Sequence, residues 1–227
     1  MGEVAASDFS EERKNDKTFI NFSFTEQVRK AKESILNPNN QKINNENFIS
    51  MWSKYYKTYM KKVDGKDIVM SAKEVKNQEK KAIERLNNGN YVVEPDAKPA
   101  INSAVKVFKG QYGLSDQKLT KIIENIGQIE SQYDTKEQYN DGPARSYWQV
   151  EPASAMDFVK NSSALLKGNF EKEFAKIKRP SGTTVVQYLQ SLDANKDEDV
   201  KEMQKLLFNN GNLAATLALG MFLNRIK

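Results

Sequence analysis

The sequence predicts a mainly α-helical protein with two helical regions. Apolar residues recur at about every third or fourth position in many segments, which is the spacing of one helix face. Proline, glycine and asparagine separate these segments, and the densest break runs from Gly89 to Pro99. We therefore expect a disordered or extended docking arm at 1–20, a helical accessory region at 21–95 and a larger helical domain at 97–227.

Three helices are predicted in the accessory region. The first begins at the capping box that Ser23 opens, and it ends at Pro38. The second spans about 46–63 and is predicted to end at Asp64-Gly65. Its apolar stripe is typical of a core or a partner surface and consists of Phe48, Met51, Trp52, Tyr55, Tyr59 and Val63. The third begins at the capping box that Ser71 opens and carries few apolar residues, so we expect it on the surface.

In the larger domain, helices are predicted on both sides of a non-helical segment. One helix contains Ile101 and Phe108, and the next begins at Ser115 and ends at Glu130. The segment 133–150 lacks a helical period, which leaves a small β-hairpin and a long loop as alternatives. Helical spacing then returns in 156–166, 170–177, a segment after Thr184, 200–208 and 213–226. The last of these is apolar on most faces and is therefore predicted to be buried.

The composition excludes several kinds of chemistry. The chain contains neither histidine nor cysteine, so catalytic triads, cysteine nucleophiles, disulfide bonds and the ordinary zinc sites are excluded. The run Asp193-x-Asn195-x-Asp197 resembles the start of a calcium loop but lacks the glycine and the glutamate that such a loop requires. We therefore expect no metal and no cofactor, and any catalysis must depend on carboxylates.

The charge pattern also limits the partners. The net charge is +5, from 35 basic and 30 acidic residues, without a basic block of the kind that nucleic-acid-binding proteins display. A membrane span needs an apolar run of about 18 residues, and the sequence contains no run of that length. Met1–Lys17 also lacks the apolar core of a secretory signal. We therefore expect no nucleic-acid partner, no stable membrane insertion and no signal peptide.

Glu130 is the strongest candidate for a catalytic acid. It lies one helical turn after the apolar face formed by Leu119, Ile122, Ile123 and Ile126. Burial of a carboxyl group disfavours its charged form and raises its pKa, as a general acid near neutral pH requires. A solvent-exposed glutamate at a helix end fits the same spacing equally well, so both interpretations stand at this point.

The segment around Glu130 also resembles a known family. Along the chain it contains Glu130-Ser131, Gly142-Pro143-Ala144-Arg145-Ser146, Trp148-Gln149 and Pro152-Ala153-Ser154. This combination resembles the lysozyme-like lytic transglycosylases and goose-type lysozymes, above all the phage-encoded members. The resemblance implies a lysozyme-like domain at 97–227, with the hairpin or loop beside its cleft and with Glu130 protonating the glycosidic oxygen of peptidoglycan. It implies that the sugar is bound by Ser131, Ser146, Tyr147, Trp148 and Gln149.

Two features depart from the family pattern. Ser146 stands where the family usually has glycine, which leaves the backbone geometry of that turn open. The Ala-Tyr-Asn tripeptide of many lytic transglycosylases is replaced by Ala214-Ala215-Thr216, so its tyrosine is missing from the expected place. The candidates to replace it are Tyr133, Tyr147 and Tyr188.

The number of catalytic acids is open. A two-carboxylate glycosidase places its second acid about 5–5.5 Å or about 6.5–9.5 Å from the first. The acidic residues that could fill this role are Asp134, Glu137, Asp141 and Glu151. No spacing rule identifies one of them, and we retain Asp134 and Asp141 as candidates. The resemblance implies instead a single-acid mechanism, in which the C6 hydroxyl of muramic acid attacks C1 to give a 1,6-anhydro product.

The sequence therefore predicts a peptidoglycan-cleaving enzyme, either a lytic transglycosylase or a muramidase. We expect it in a phage particle or in the infected bacterium, and we expect it to act on the cell wall. Its partners would be peptidoglycan glycan strands and other virion proteins of the tail or internal core. One alternative is a non-catalytic virion protein with a degenerate lysozyme-like domain, and another is an intracellular helical interaction module.

Overall fold

The computed structural model describes residues 28–40, 42–55, 60–63, 66–88, 93–138, 142–166 and 168–226. The chain divides into two compact units between Asn88 and Gly89, somewhat before the boundary predicted at 95–97. Helices make up most of the described residues in both units, so the predicted mainly α-helical class is confirmed. The predicted docking arm and the helix start predicted at Ser23 lie outside the described residues.

The first unit contains helices and one hairpin. Its described elements are α1 (28–36), α2 (Asn45–Tyr55), β1 (Met60–Val63), β2 (Lys66–Val69) and α3 (Ala72–Asn87). α2 packs on α3, and the Nδ2 of Asn45 donates to the Oδ1 of Asn87 at 2.8 Å. α3 begins at its predicted capping box, in which the Oγ of Ser71 accepts from the N–H of Glu74 and the Glu74 carboxylate accepts from the N–H of Ser71.

The second helix is shorter than the sequence predicts. The spacing favours a helix over about 46–63, but α2 ends at Tyr55 and the chain continues as an antiparallel hairpin. In this hairpin Val63 pairs with Lys66, so only Asp64-Gly65 separates the two strands. Asp-Gly is a favoured pair in two-residue hairpin loops. The pair therefore indicates a hairpin here, not the end of a helix.

The second unit surrounds a single helix. Its helices are α4 (Ala97–Phe108), α5 (Asp116–Glu130), α6 (Pro152–Ser162), α7 (Asn169–Glu173), α8 (Val185–Ser191), α9 (Asp197–Asn209) and α10 (Gly211–Ile226). Short 3₁₀ turns follow α4 and α6, at Gln111–Gly113 and Ser163–Leu166. α8 follows its N-cap Thr184 as predicted, whereas α7 ends before Ile177, which the sequence places inside it.

α10 forms the centre of this unit. Every residue from Leu213 to Leu223 is buried, as the apolar sequence of this segment predicts. α4, α5, α6 and α9 all pack on it. Among the described residues no single helix is long and apolar enough to cross a bilayer, and α9 and α10 reach that length only as a pair bent by 107°.

The described residues between α5 and α6, 131–138 and 142–151, form a loop. These residues form no β-strand. They contain only two single-residue antiparallel bridges, Glu137 with Arg145 and Arg145 with Val150. Of the two alternatives that the sequence leaves open, the loop is therefore the one observed. The bridges pair Arg145 with one residue from the first part of the loop and one from its last part, and this geometry shapes the candidate site.

Gly220 tests how tightly α10 is packed. A Cβ at this position would lie 2.6 Å from the Cζ of Phe158 and 2.8 Å from that of Phe108, and both rings are buried. We expect Gly220→Ala to lower the free energy of unfolding by about 1–3 kcal/mol, because the rings must move. Urea-induced unfolding measures the difference.

Gly211→Ala in the same helix is the matched control. Its Cβ would meet only the Cβ of Ala100, at 3.9 Å, which is ordinary contact. We expect this variant to be unchanged or to gain up to about 1 kcal/mol, because alanine favours helix more than glycine. Equal stability of the two variants would contradict the close packing at Gly220.

Candidate functional site

α5 carries Glu130 at its last position, as the sequence predicts. The helix begins at Ser115, whose Oγ accepts from the N–H of Lys118. Its apolar face is fully buried and consists of Leu119, Ile122, Ile123 and Ile126. The side chain of Glu130 is half-buried. This position lies between the buried acid and the exposed helix-end residue that the sequence leaves as alternatives.

After Glu130 the chain turns back sharply on α5. Gln132 and Tyr133 both have left-handed backbones, with φ angles of 56° and 60°. Tyr133 folds against the helix, and its hydroxyl donates to the carbonyl of Glu124 at 3.1 Å. A Cβ at Gly127 would lie 2.5 Å from the Tyr133 ring, so the ring can occupy this place only because residue 127 is glycine.

Ser131 joins this reversal to the turn at 146–149. Its Oγ donates to the carbonyl of Tyr147 at 2.7 Å and accepts from the N–H of Tyr133 at 3.1 Å. The residue next to Glu130 is therefore bonded to the aromatic–glutamine turn. The two parts of the sequence motif, although separated in the chain, thus meet at this hydrogen bond.

The turn at 146–149 is closed and strained. Arg145 and Val150 exchange both of their backbone hydrogen bonds, and the N–H of Gln149 donates to the carbonyl of Ser146 at 3.0 Å. Ser146 and Gln149 have φ angles of 70° and 45°, in the left-handed region that costs a residue with a side chain roughly 1–2 kcal/mol. Ser146 therefore adopts the conformation that glycine adopts readily.

Trp148 anchors this turn to α5. Its side chain is only 2% exposed, and its Nε1 donates to the carbonyl of Ile123 at 2.9 Å. Its ring packs edge-on against Tyr133 and Tyr147, with centroids 6.2 Å and 6.1 Å away. The sequence predicts that Trp148 contacts a sugar, but a ring with so little exposed surface serves packing instead.

The other predicted sugar-binding residues divide into two kinds. Ser131 and Ser146 are buried, and their hydroxyl groups bond within the loop; the Oγ of Ser146 accepts from the N–H of Trp148 at 3.3 Å. Tyr147 and Gln149 are half-buried and keep accessible side-chain surface. The Nε2 of Gln149 donates to the carbonyl of Ser146 at 2.9 Å, which orients its amide. Of the five predicted sugar-binding side chains, those of Tyr147 and Gln149 are therefore the ones that a ligand could reach.

The candidate second acids that the structure describes all lie at the surface. Asp134 is exposed, as are Glu137 and Glu151, whereas Asp141 lies outside the described residues. On the same helix, desolvation by burial raises the pKa of the Glu124 carboxyl group. The sequence did not single out Glu124, because it adjoins the apolar stripe of α5 without belonging to a motif.

Two further residues of the site were not identified from the sequence. Asp96, at the N-cap of α4, accepts a hydrogen bond from the Tyr147 hydroxyl at 3.0 Å and forms an ion pair with Lys136. The Nζ of Lys136 lies 4.9 Å from the centre of the Tyr147 ring. We call Asp96, Lys136 and Tyr147 the Asp96 latch. Asp96 and Tyr147 are 51 residues apart, and a contact of this separation leaves no periodic pattern in one sequence.

The three candidates to replace the tyrosine of the resembled family each form a hydrogen bond through their hydroxyl group. The hydroxyl of Tyr133 bonds Glu124 and that of Tyr147 bonds Asp96. The hydroxyl of Tyr188 donates to Glu202 at 3.0 Å, and burial followed by this hydrogen bond raises the pKa of Tyr188 to about 12.

The calcium-like run is bonded within its own loop. The carboxylate of Asp199 accepts from the N–H of Asp193 at 2.9 Å, and that of Asp193 accepts from the N–H of Asn195 at 3.0 Å. Asp199 thus fixes the loop before α9 and does not occupy the N-cap, which is Lys196. In the part of the chain that the structure describes, no three histidine, cysteine or acidic side chains are grouped as metal ligands would be.

Comparisons of the chain with protein-family models, with curated proteins and with solved structures find no match. The resemblance to lysozyme-like enzymes therefore depends on the residues of 130–154 themselves. The geometry of these residues, in particular the bond from Ser131 to Tyr147, is the basis on which a function can be proposed.

Ser146 provides a test of the strained turn. Ser146→Ala and Ser146→Gly both remove the hydroxyl group, so they differ only in the cost of the left-handed backbone. We expect the glycine variant to be more stable by about 1 kcal/mol, after subtraction of the greater freedom of glycine in the unfolded chain. Thermal and urea-induced unfolding give the comparison.

Ser154, inside α6, is the matched control for this pair. At a helical position the order reverses, and Ser154→Ala should be more stable than Ser154→Gly by up to about 1 kcal/mol. If the alanine variant were also the more stable one at Ser146, the turn would not have the left-handed geometry described above.

Proposed function

We propose that the chain is a phage peptidoglycan-cleaving enzyme, a lytic transglycosylase or a muramidase, with Glu130 as its general acid. The observation that carries this proposal is the 2.7 Å bond from Ser131 to Tyr147, because it joins the end of the acid-bearing helix to the aromatic–glutamine turn. The half-buried position of Glu130 also supports it, since a partly desolvated carboxyl group retains a proton more readily and can still meet a substrate.

In the proposed mechanism Glu130 gives its proton to the oxygen of the bond between MurNAc and GlcNAc as the bond from that oxygen to C1 breaks. The resulting carboxylate then takes a proton from the nucleophile that attacks C1. Attack by the muramic acid C6 hydroxyl gives a 1,6-anhydro product, and attack by water gives a reducing end. In this scheme Tyr147 and Gln149 contact the sugar, and a lysozyme-like arrangement of the second unit forms the cleft.

The second candidate function is a non-catalytic virion protein that retains the motif for its structural value. It is favoured by the burial of Ser131, Ser146 and Trp148, whose polar groups all bond within the protein. These bonds would stabilise the loop whether or not a glycan is cleaved. The two candidates differ in whether Glu130 is required for turnover of peptidoglycan.

Glu130→Gln tests the catalytic proposal. The amide keeps the shape of the side chain but has no proton to transfer, so the rate of muropeptide release from purified peptidoglycan should fall by roughly 10²–10⁴-fold. The melting temperature should stay the same or rise, because the neutral amide, unlike the carboxyl group, never places a charge in this half-buried position. Mass spectrometry of the released muropeptides separates anhydro from reducing products.

Asp134→Asn distinguishes the single-acid from the two-acid mechanism, because Asp134 is a candidate second acid and is exposed and close to Glu130 in the chain. A single-acid mechanism requires that its activity remain within about twofold of the wild type. Full activity of Glu130→Gln would exclude Glu130 as the acid. Complete inactivity of the wild-type protein on several peptidoglycans would favour the non-catalytic alternative.

The place of action forms part of the same proposal. We propose that the protein is carried in a phage particle or made late in infection, that its first unit docks on a tail or internal-core protein, and that it cleaves the host wall locally. Proteomic analysis of purified particles and of infected cells at lysis should detect the chain. Its absence from both, together with expression as a host protein without infection, would favour an interaction module instead.

A further inference from the structure

Asp96 is the N-cap residue of α4, but its carboxylate does not cap the helix. Aspartate at this position usually accepts a hydrogen bond from an N–H group in the first turn of its own helix. Asp96 makes no such bond to α4. Its Oδ1 accepts from the hydroxyl of Tyr147 at 3.0 Å and its Oδ2 pairs with Lys136, so both oxygens serve the loop.

Lys136 holds the same turn in two ways. Its backbone carbonyl accepts from the N–H of Ser146 at 2.7 Å. Its ammonium group lies 4.9 Å from the centre of the Tyr147 ring, within the range of a cation–π contact. The side chain and the backbone of one residue therefore both act on the turn.

Tyr147 is consequently fixed at both ends. Ser131 bonds its carbonyl, Asp96 bonds its hydroxyl, and its ring lies 5.6 Å from that of Tyr133. The pKa shifts of Asp96 and Tyr147 are in the directions that these contacts require. The hydrogen bond from Lys136 lowers the pKa of Asp96, whereas burial, followed by the hydrogen bond to Asp96, raises the pKa of Tyr147.

We propose that Asp96 is a positioning residue, which acts through Tyr147 to hold the strained 146–149 turn against the end of α5. The catalytic consequence of this role rests on the proposed function, but the structural consequence does not. An isolated ion pair this exposed, with side chains 54% and 43% accessible, contributes little. The Asp96 latch is more than an isolated ion pair, because the Asp96 carboxylate also accepts a hydrogen bond from Tyr147 and the Lys136 ammonium group also lies over the Tyr147 ring.

Hydrogen exchange in the full-length protein tests the structural role. We expect Asp96→Ala to increase amide exchange in peptides that cover 144–150 by about tenfold, because the turn loses one of its ties. Tyr147→Phe should also increase exchange, and the double variant should exchange no faster than Asp96→Ala, since Asp96→Ala already removes the acceptor of the Tyr147 hydroxyl. Asp96→Asn keeps an acceptor for the Tyr147 hydroxyl and should restore part of the protection.

Asp116→Ala is the matched control for Asp96→Ala. Asp116 is likewise an exposed aspartate at the start of a helix, 50% accessible and paired with Lys109 at 2.8 Å. This variant should leave exchange at 144–150 unchanged. Equal exchange in the two alanine variants, or additive effects of Asp96→Ala and Tyr147→Phe, would overturn the proposal.

The ionisation of Tyr147 provides a spectroscopic test. Subtraction of the absorbance titration of Tyr147→Phe from that of the intact protein isolates this phenol among the tyrosines. Its pKa is raised by burial, Asp96 and Glu94 and lowered by Lys136. Asp96→Ala should move the pKa downward, and Asp116→Ala should not. No movement in Asp96→Ala would show that the hydroxyl is not bonded to Asp96.

Activity on peptidoglycan then tests the catalytic consequence. If the wild type cleaves, kcat/KM of Asp96→Ala should fall about fivefold, with partial rescue in Asp96→Asn and no loss in Asp116→Ala. Unchanged kcat/KM in Asp96→Ala would reject the catalytic consequence. An inactive wild type would reject the proposed function, while the exchange and titration results would still decide the structural role of Asp96.

Discussion

The loop that carries the candidate site depends on the close approach that Gly127 permits. Residue 127 has no side chain, so the ring of Tyr133 can lie directly on the backbone of α5 and its hydroxyl can reach the carbonyl of Glu124. Trp148 reaches a second carbonyl of the same helix, that of Ile123. With these two rings in place, the turn at 146–149 lies within hydrogen-bonding distance of Ser131, and thus next to the end of the helix that bears Glu130.

Much of the helical framework could be predicted because its determinants are local. The capping box of Ser71, the N-cap of Ser115 and the end of α5 at Glu130 each involve residues a few positions apart, and the structure has all three. The helix predicted over 46–63 is too long because Asp-Gly is found both at helix ends and in hairpin loops. Only the pairing of the flanking strands distinguishes the two. The burial of Trp148 depends on a helix 25 residues earlier in the chain, which no spacing rule indicates.

Backbone strain is concentrated around the candidate site. Among the described residues five non-glycine residues have positive φ, and four of them, Gln132, Tyr133, Ser146 and Gln149, lie between α5 and α6. Strained backbone conformations persist where several surrounding interactions hold them in place, and they are frequent at functional sites. Here the hydrogen bonds of Asp96, Ser131 and Trp148 hold the loop in its conformation. A serine can therefore stand at position 146, where the resembled family usually has glycine.

The central position of α10 also has a consequence for biosynthesis. A ribosome delivers a polypeptide from its N-terminus, so α4, α5, α6 and α9 emerge before the helix on which they pack. Until Gly211–Ile226 has left the exit tunnel, the nascent second unit lacks the surface that covers Phe108 and Phe158. The core of this unit can therefore be completed only after α10 has emerged from the ribosome, although most of the residues that form it are made earlier.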